Sequence, residues 1–183
     1  GVCAVASADA VSRELPEPSV GETLVVLAQG RDPGNVGTII RTADAFGAVG
    51  VITVSGTVEA TSPKVVRASA GSVFHIPVCI VPSFEEAHAL IHRRSAALLG
   101  TSGGAGSLDL SQMLVQGVSG RSRLSQSHAW VFGNEAKGLS GAEMRLCDAL
   151  VSIPMTGDAE SLNVASAATA CLFASQTVRG MAL

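Results

Sequence analysis

A strand, a helix and a second strand follow one another within about thirty residues near the start of the chain, and this pattern limits the possible folds most strongly. Residues 23–29 (TLVVLAQ) form a continuous apolar run, which is typical of a strand covered on both faces. Residues 36–47 carry apolar side chains at the helical period and end in a glycine, and residues 48–54 (AVGVITV) return to strand. Two strands joined by such a helix are parallel, so the sequence predicts an α/β fold.

The same alternation continues to the C-terminus. Further strands are predicted at residues 77–81, 96–101, 128–133 and 149–154, and further helices at residues 62–69, 83–92, 140–147 and 162–178. Residues 103–127, rich in Gly, Ser and Gln, are predicted to be mostly loop. The prediction is a mostly parallel sheet of six strands with helices on both faces. Residues 1–22 are predicted to be a short strand and a linker, so that the folded domain, residues 23–183, begins near Thr23.

Loops that follow strands are the places to look for a ligand, because open α/β sheets bind ligands at the carboxyl ends of their strands. Four such loops, residues 29–37, 101–106, 133–139 and 154–163, are rich in Gly or small polar residues. Gly133 and Gly138 allow close approach of a ligand to the backbone, and Asn134, Ser161 and Asn163 offer neutral donors and acceptors. Taken singly, each glycine could serve a tight turn, and Ser161 or Asn163 a helix cap.

Three other kinds of site fit the sequence poorly. No GxxxxGK[ST] phosphate loop occurs, and GxGxxG does not follow the first strand. "GTSGG" at residues 100–104 matches GxSxG, and Asp109 and His128 follow Ser102 in hydrolase order, which makes a serine hydrolase an alternative. The sequence after Ser102 is a poor helix start, whereas a nucleophile elbow runs directly into a helix.

Composition restricts the partners and cofactors. The formal net charge is −3, all of it in the first 22 residues, so a nucleic-acid site has to be a local cluster of basic residues. Hydrophobic residues make up 47% of the chain and charged ones 15%, which favours self-association. No apolar run is long enough for a membrane helix.

The cysteines and histidines indicate no metal site. The four cysteines are far apart and are expected to be reduced thiols. His88 and His92 with Glu85 match no recognised metal motif, so no metal is predicted.

Three segments in order resemble the motifs of one family of RNA-modifying enzymes. "DPGNVGTIIRTADAFG" at residues 32–47, "VFGNEAKGLS" at residues 131–140 and "IPMTGDAESLNVASAATA" at residues 153–170 are similar to the three motifs of the SpoU/TrmH family of SPOUT RNA 2′-O-ribose methyltransferases. "VVRASAGSVFHIPV" at residues 65–78 resembles the segment between the first two motifs. The resemblance runs from about Thr23 to the C-terminus. Three motifs in order form a far more specific signal than any one of them.

The resemblance implies a fold and a cofactor. The family's α/β domain carries a deep trefoil knot near its C-terminus, here residues 129–183, and works as a homodimer that binds S-adenosylmethionine in a bent form. The residues carried over as cofactor-binding belong to the three loops after the strands: Thr101, Ser102, Gly103, Gly133, Asn134, Gly138, Ile153, Met155, Leu162, Asn163 and Val164.

The resemblance also implies the active site. Arg41 matches the family's catalytic arginine and Asn35 its substrate-side asparagine, and Glu135, Ser161 and Asn163 complete the site. Because arginine is a poor general base, the preferred role for Arg41 is to clamp a phosphate and to stabilise the forming alkoxide, although a deprotonated arginine is also proposed for the family. Asp32 and Asp44 are expected to cap and pair locally.

The implied substrate is RNA, with ribosomal RNA preferred over transfer RNA, in a cytoplasmic enzyme. Ala165 stands where the family often has Ser. Many members carry an amino-terminal RNA-binding domain, and this chain begins roughly where such a domain would end. A module that binds the cofactor but methylates nothing is the remaining alternative. Basic residues that could contact phosphate are Arg31, Arg67, Arg93, Arg94, Arg121, Arg123 and Lys137.

Overall fold

A parallel sheet forms the centre of the protein. The computed structural model describes residues 4–104, 106–117 and 119–181. Within those ranges the strands are β1 (Thr23–Leu27), β2 (Gly50–Val54), β3 (Val78–Val81), β4 (Ala97–Thr101), β5 (Leu108–Asp109), β6 (His128–Phe132) and β7 (Ala149–Ser152). Their order across the sheet is β3-β2-β1-β6-β4-β7-β5, and every neighbouring pair is parallel. The predicted parallel sheet is confirmed, with one strand more than predicted.

Helices cover both faces of this sheet, as predicted. They are α1 (Pro33–Ala45), α2 (Pro63–Ala68), α3 (Phe84–Arg93), α4 (Leu110–Gly117), α5 (Gly141–Leu146) and α6 (Val164–Met181). One hydrophobic core lies under α1, α2, α4 and α6 and contains Trp130 and Phe132, whereas the other lies under α3 and α5 and contains Leu24 and Leu98. Side chains alternate between the two cores along each central strand, which is why these strands read as continuous apolar runs. None of the helices in the described ranges is long and apolar enough to cross a membrane.

The described part of the segment 103–127 is more ordered than its composition predicts. It contains β5, α4 and a 3₁₀ turn at Arg123–Ser125, so the prediction of a loop was wrong there. Leu110 and Met113 lie at helical spacing and are buried, and the Asp109 carboxylate accepts hydrogen bonds from the backbone of Ser111 and Gln112 at 2.7 and 3.2 Å. These apolar contacts and this cap outweigh the weak helix propensity of the surrounding Gly and Ser.

The position of β7 gives the sheet its unusual connectivity. β7 is hydrogen-bonded between β4 and β5, although these two strands are consecutive in the chain. After β6 the chain therefore returns to a position between β4 and β5, and α6 then packs against both α1 and α4. This insertion agrees with the trefoil knot that the family resemblance implies. The last two residues of the predicted knot, 182–183, lie outside the described ranges.

Residues 11–22 pack against the domain. The predicted strand in residues 1–22 is absent from the described part, residues 4–22, where the regular element is a 3₁₀ turn at Ala8–Ala10. Val11 is buried in the core, and Glu22 accepts hydrogen bonds from the Arg94 guanidinium at 2.6 and 2.8 Å. Burial raises the pKa of Glu22, but hydrogen bonds from Arg94 and Ser19 outweigh it and hold that pKa below its usual value. Arg94 is thus buried in an ion pair and is not the phosphate contact considered above.

The thiols are free in the described chain, as expected from the spacing of the cysteines. Cys79, Cys147 and Cys171 form no disulfide. Burial raises the pKa of Cys147 to about 12 and also raises that of Cys171, so both side chains stay protonated. Cys3 lies outside the described residues.

His128 is expected to make the stability of the fold depend on pH. Burial lowers the pKa of its imidazole to about 4, despite a hydrogen bond to the carbonyl of Gln126 that raises it. In the unfolded chain the imidazole has a pKa near 6.5, so as the pH falls it takes up a proton in the unfolded state before it does so in the folded state. The free energy of unfolding is therefore highest above pH 6.5 and falls by roughly 3 kcal/mol as the pH drops to 4. Denaturant titrations across this range measure the loss.

His75, which is exposed, provides the control for this pH dependence. His75→Gln is expected to keep the decrease between pH 6.5 and 4, whereas His128→Gln, which cannot titrate, is expected to lack that increment. A decrease of the same size in His128→Gln and in the parent would contradict the assignment.

Candidate functional site

A cavity of about 450 Å³ lies at the carboxyl edge of the sheet, between the loops that follow β4, β6 and β7. The parallel arrangement brings these three loops together, because all the strands end at the same edge. The residues that line the cavity are Thr101, Ser102, Gly103, Gly133, Asn134, Glu135, Ala136, Lys137, Gly138, Leu139, Met144, Val151, Ile153, Met155, Glu160, Ser161, Leu162, Val164 and Ala167.

The loop after β6 is held in a narrow hairpin. Asn134 and Gly138 exchange backbone hydrogen bonds of 3.1 and 2.8 Å, and the Asn134 side-chain oxygen accepts from the backbone N–H groups of Ala136 and Lys137. A Cβ atom on Gly133 would lie 2.5 Å from the carbonyl oxygen of Gly138, closer than real Cβ contacts occur. Glycine at position 133 therefore lets the two sides of the hairpin approach each other.

The rest of the cavity wall combines apolar side chains with main-chain groups. Ile153, Leu162 and Val164 supply apolar surface, and Met155 remains 42% exposed at the rim. The Thr101 hydroxyl donates to the carbonyl of Val131 at 2.9 Å and is thereby fixed in orientation. A volume of this size and a lining of this kind are typical of small-molecule sites, and they fit an adenosine group and an amino-acid chain held largely through the backbone.

Glu135 ties the loop after β6 to the loop after β1. Its carboxylate accepts hydrogen bonds from the backbone N–H groups of Arg31, at 3.3 and 3.4 Å, and of Asp32, at 3.1 Å. Burial raises the pKa of Glu135, but these N–H groups, its own backbone N–H and the Asn35 side chain outweigh burial and lower the pKa. The carboxylate is therefore ionised at neutral pH and places a negative charge beside the cavity.

Asn35 lies between Glu135 and Asn163. Its side-chain oxygen accepts a hydrogen bond of 3.0 Å from the Asn163 amide, and its own amide contributes to the lowered pKa of Glu135. The Asn163 oxygen in turn accepts from the backbone of Ala165 and Ser166 and caps α6, which explains why this helix begins at Val164. One side chain from each of the three motifs thus meets beside the cavity.

Of the two aspartates of the first motif, Asp32 acts locally, as expected, whereas Asp44 pairs with a residue 31 positions later. Asp32 caps α1, where its carboxylate accepts from the backbone N–H of Asn35 at 2.8 Å. The Asp44 carboxylate pairs with the His75 ring nitrogen at 3.2 Å.

The structure brings most, but not all, of the sequence-predicted site residues to the cavity. Every residue carried over as cofactor-binding lines it except Asn163, whose side chain caps α6 beside the cavity. Glu135 and Ser161 also line it, and Asn35 adjoins it through Glu135. Arg41 is exposed, about 9 Å further along α1 than Asn35, and its side chain makes no hydrogen bond or ion pair within the described ranges.

Several residues of the cavity were not among the predicted catalytic or cofactor-binding residues, although Lys137 was named as a possible phosphate contact. Lys137 and Glu160 bring charge to the rim, and Met144 reaches the cavity from α5. Lys137 and Glu160 each lie next to or within two residues of a predicted site residue, so motif position is a signal that could have found them. Met144 belongs to a helix outside the motif loops and gives no such signal.

The serine hydrolase alternative is excluded by the fold. Ser102 follows the carboxyl end of β4, whereas His128 begins β6 in register with Ala97, about 16 Å away along the strands. The His128 ring instead contacts the Ser175 hydroxyl and the carbonyl of Gln126, both at 2.7 Å, and is fully buried. Ser102 and His128 therefore cannot form a nucleophile and base pair.

His88 and His92 do not form a metal site with Glu85. Across the described residues, no group of three or more His, Cys, Asp or Glu side chains is placed to hold a metal ion. The His88 and His92 rings stack at 4.2 Å, and His92 contacts the Asp148 carboxylate at 3.4 Å.

Sheet order, cavity and motif contacts together define an α/β domain with a cavity for a small molecule at the carboxyl edge of a parallel sheet. Residues 22–173 match the model of the SpoU rRNA Methylase family. Since this match covers most of the chain, the protein belongs to that family.

Curated relatives agree with this assignment. The chain is 42% identical over 146 residues to a 23S rRNA (uridine(2479)-2′-O)-methyltransferase of Streptomyces viridochromogenes. The aligned region covers 77% of this chain and 47% of the relative. It is 36% identical over 147 residues to the 23S rRNA (guanosine(2553)-2′-O)-methyltransferase RlmP of Bacillus subtilis, and this alignment covers 78% of this chain and 53% of that relative. The chain thus spans about half the length of these relatives.

A solved structure shares the fold. The SpoU methyltransferase AviRb of Streptomyces viridochromogenes superposes with a TM-score of 0.80 at 36% identity, covering 92% of this chain and 64% of that one. The same enzyme in complex with AdoMet superposes with a TM-score of 0.75 over 95% of this chain and 64% of that one.

Proposed function

We propose that this chain transfers a methyl group from S-adenosylmethionine to a ribose 2′-hydroxyl of RNA, and that the RNA is ribosomal. The observation that carries the proposal is the meeting of Glu135, Asn35 and Asn163 beside a cavity of cofactor size. Both relatives described above are named as 23S rRNA 2′-O-methyltransferases, which favours ribosomal over transfer RNA and, with it, a cytoplasmic enzyme.

The residues of the chain position the reactants in this scheme. When bound, S-adenosylmethionine supplies an electrophilic methyl group on a positively charged sulfur. The ionised Glu135 carboxylate at the cavity favours a cationic ligand there. Asn35 and Asn163 present amide groups to the ribose on the Glu135 side of the cavity and hold its hydroxyl in line for transfer.

Arg41 is assigned to the RNA rather than to the cofactor. Arg41 is exposed on α1, the helix that also carries Asn35. Within the described chain its guanidinium makes no ion pair. A protonated guanidinium there clamps a phosphate and stabilises the oxygen that loses its proton.

The described fold also bears on the domain boundaries. We assign residues 23–183 to the catalytic domain, with residues 11–22 packed against it through Val11 and the Glu22–Arg94 pair. That residues 1–22 lead to an RNA-binding domain stays a prediction.

Methyl transfer to two transcripts tests the function and its alternatives. The purified chain, tritiated S-adenosylmethionine and unmodified 23S rRNA are expected to give label in alkali-resistant dinucleotides, because a methylated 2′-oxygen cannot attack the adjacent phosphate. Label in a tRNA transcript alone would support the tRNA alternative. No label in either RNA, from protein that binds the cofactor, would support the module that binds without methylating.

We also propose that the chain forms a homodimer through α6. The helix carries no charged residue between Val164 and Val178, and Phe173 is 53% exposed on it, in edge contact with Phe46 at 6.0 Å. A neutral surface of small and aromatic side chains complements a second copy of itself, as a two-fold interface requires.

Replacing Phe173 with glutamate is expected to break this dimer. Light scattering should give twice the 18.4 kDa chain mass for the parent and the single chain mass for Phe173→Glu. Val115 lies on α4 and is 73% exposed, so Val115→Glu is the matched control and is expected to remain dimeric. A monomeric parent, or a dimer that survives Phe173→Glu, would contradict the assignment.

A further inference from the structure

A second cavity, of about 420 Å³, lies at the same edge of the sheet as the first. It opens where β1 and β2 end, on the face that α3 and α5 cover. Its lining consists of Ala28, Gln29, Arg31, Val54, Ser55, Gly56, Phe84, Glu85, Ser140, Ala142 and Glu143. None of these residues lines the first cavity.

The two cavities share a wall. Residues 133–139 line the first cavity, and Ser140, the next residue, lines the second. Across this wall, the Glu135 carboxylate accepts from the backbone of Arg31, which belongs to the second cavity. The opening of the second cavity is therefore next to the place that a ribose beside Glu135 would occupy.

Arg31 is the basic side chain in this lining, and its guanidinium is free to bind a phosphate although two acids also line the cavity. The Arg31 guanidinium is exposed and makes no hydrogen bond or ion pair with any described residue, while its backbone is fixed by Glu135. Of the two acids, Glu143 is engaged in the α5 capping box, where it accepts from the Ser140 backbone at 2.6 Å. Glu85 is exposed, and hydrogen bonds from its own backbone and from Ser83 lower its pKa.

The other exposed basic candidates lie elsewhere. Arg93 ends α3, and Arg121 and Arg123 precede β6, so these three lie toward the amino ends of the strands. Arg67 lies in the last turn of α2 and lines neither cavity. Only Arg31 and Lys137, among the candidates named from the sequence and described here, belong to loops at the edge that carries the cavities. Arg31 is thus the basic side chain best placed for RNA beside the target ribose.

The interior of the cavity suits the edge of a base. Gln29 and Ser55 provide neutral hydrogen-bonding side chains at the ends of the two strands. Phe84 is only 5% exposed, so it offers apolar contact at the wall rather than an open face for stacking.

We propose that the second cavity holds the nucleotide next to the methylated one, with Arg31 on the phosphate that joins them. The inference rests on the proposed function for the identity of the ligand as RNA, and it adds a nucleotide subsite to that function. It assigns phosphate contact to Arg31 and base-edge contact to Gln29 and Ser55.

The test uses amide NMR spectra of the chain saturated with S-adenosylhomocysteine, so that the first cavity is filled. Titration with a random-sequence RNA hexanucleotide is expected to shift the amide signals of Gln29, Arg31, Ser55 and Gly56. Arg31→Met is expected to weaken this binding about tenfold and to lower its salt dependence by about one phosphate contact. Arg93→Met, at the opposite edge, is the matched control and is expected to bind as the parent does. Tripolyphosphate is expected to shift Arg31 but not Gln29 or Ser55.

The outcomes separate this inference from the proposed function. RNA shifts confined to other surfaces, equal binding by Arg31→Met and the parent, or tripolyphosphate shifts that match those of RNA would each overturn the subsite. If S-adenosylhomocysteine fails to bind but RNA still shifts the amides of the second cavity in an Arg31-dependent way, the proposed function fails and the subsite is supported.

Discussion

Arg41→Ala is expected to lower kcat/KM for RNA methylation by at least about a hundredfold while leaving the affinity for S-adenosylmethionine unchanged. Arg41 does not line the cofactor cavity, so its removal leaves that wall intact. The loss follows from the missing phosphate clamp and the missing charge beside the hydroxyl oxygen, which becomes an alkoxide as its proton passes to solvent. Tritium transfer to 23S rRNA measures the rate, and calorimetric titration measures the affinity for the cofactor.

Two further variants sharpen this prediction. Arg41→Lys keeps the charge but loses the bidentate geometry and is expected to retain partial activity. Arg123→Ala, an exposed arginine just before β6 and away from both cavities, is expected to methylate at the parent rate. Full activity in Arg41→Ala would remove this residue from the reaction, and a parallel loss of cofactor affinity would show that it acts through the fold of the cavity.

Gly133→Ala is expected to reduce the affinity for S-adenosylmethionine at least about tenfold. A tenfold loss corresponds to about 1.4 kcal/mol of binding free energy, which is the expected cost of displacing the hairpin backbone. The new Cβ would meet the backbone of Gly138 and the nitrogen of Leu139, 2.5 Å away, and backbone cannot rotate aside as a side chain can. The hairpin must open, and the main-chain groups that line the cavity move with it. Calorimetry measures the change in affinity.

Gly157→Ala provides the control within the same edge of the sheet. A Cβ at Gly157 meets no atom within 4 Å, and its φ is not positive, so alanine fits there without strain. Its affinity for the cofactor is expected to stay within about twofold of the parent, a difference well under 1 kcal/mol. Equal affinities of Gly133→Ala and Gly157→Ala would mean that the close approach at residue 133 does not shape the cofactor site.

The central elements of the fold could be predicted because their patterns are local. β1, α1 and β2 follow from apolar runs and a helical period, and the parallel direction of the strands places the motif loops, after β1, β6 and β7, at one edge. α4 was missed because Leu110 and Met113, its buried residues, stand among Gly, Ser and Gln that individually indicate loop.

Long-range contacts account for what the sequence left open. Arg94 reads as an ordinary surface charge, and only the fold brings it to Glu22, 72 residues earlier. Likewise, the motif resemblance names Glu135 but does not reveal that its carboxylate holds the backbone of Arg31 and Asp32, 104 and 103 residues away. The second cavity depends on that same contact and has no motif of its own.

The most direct test of the account is the position of the transferred methyl group. The chain is incubated with 23S rRNA and S-adenosylmethionine bearing a deuterated methyl, the RNA is digested to nucleosides, and mass spectrometry locates the label. The account predicts a deuterated methyl on the ribose of one nucleoside. Label on a base, or no label in RNA from protein that binds the cofactor, would contradict it.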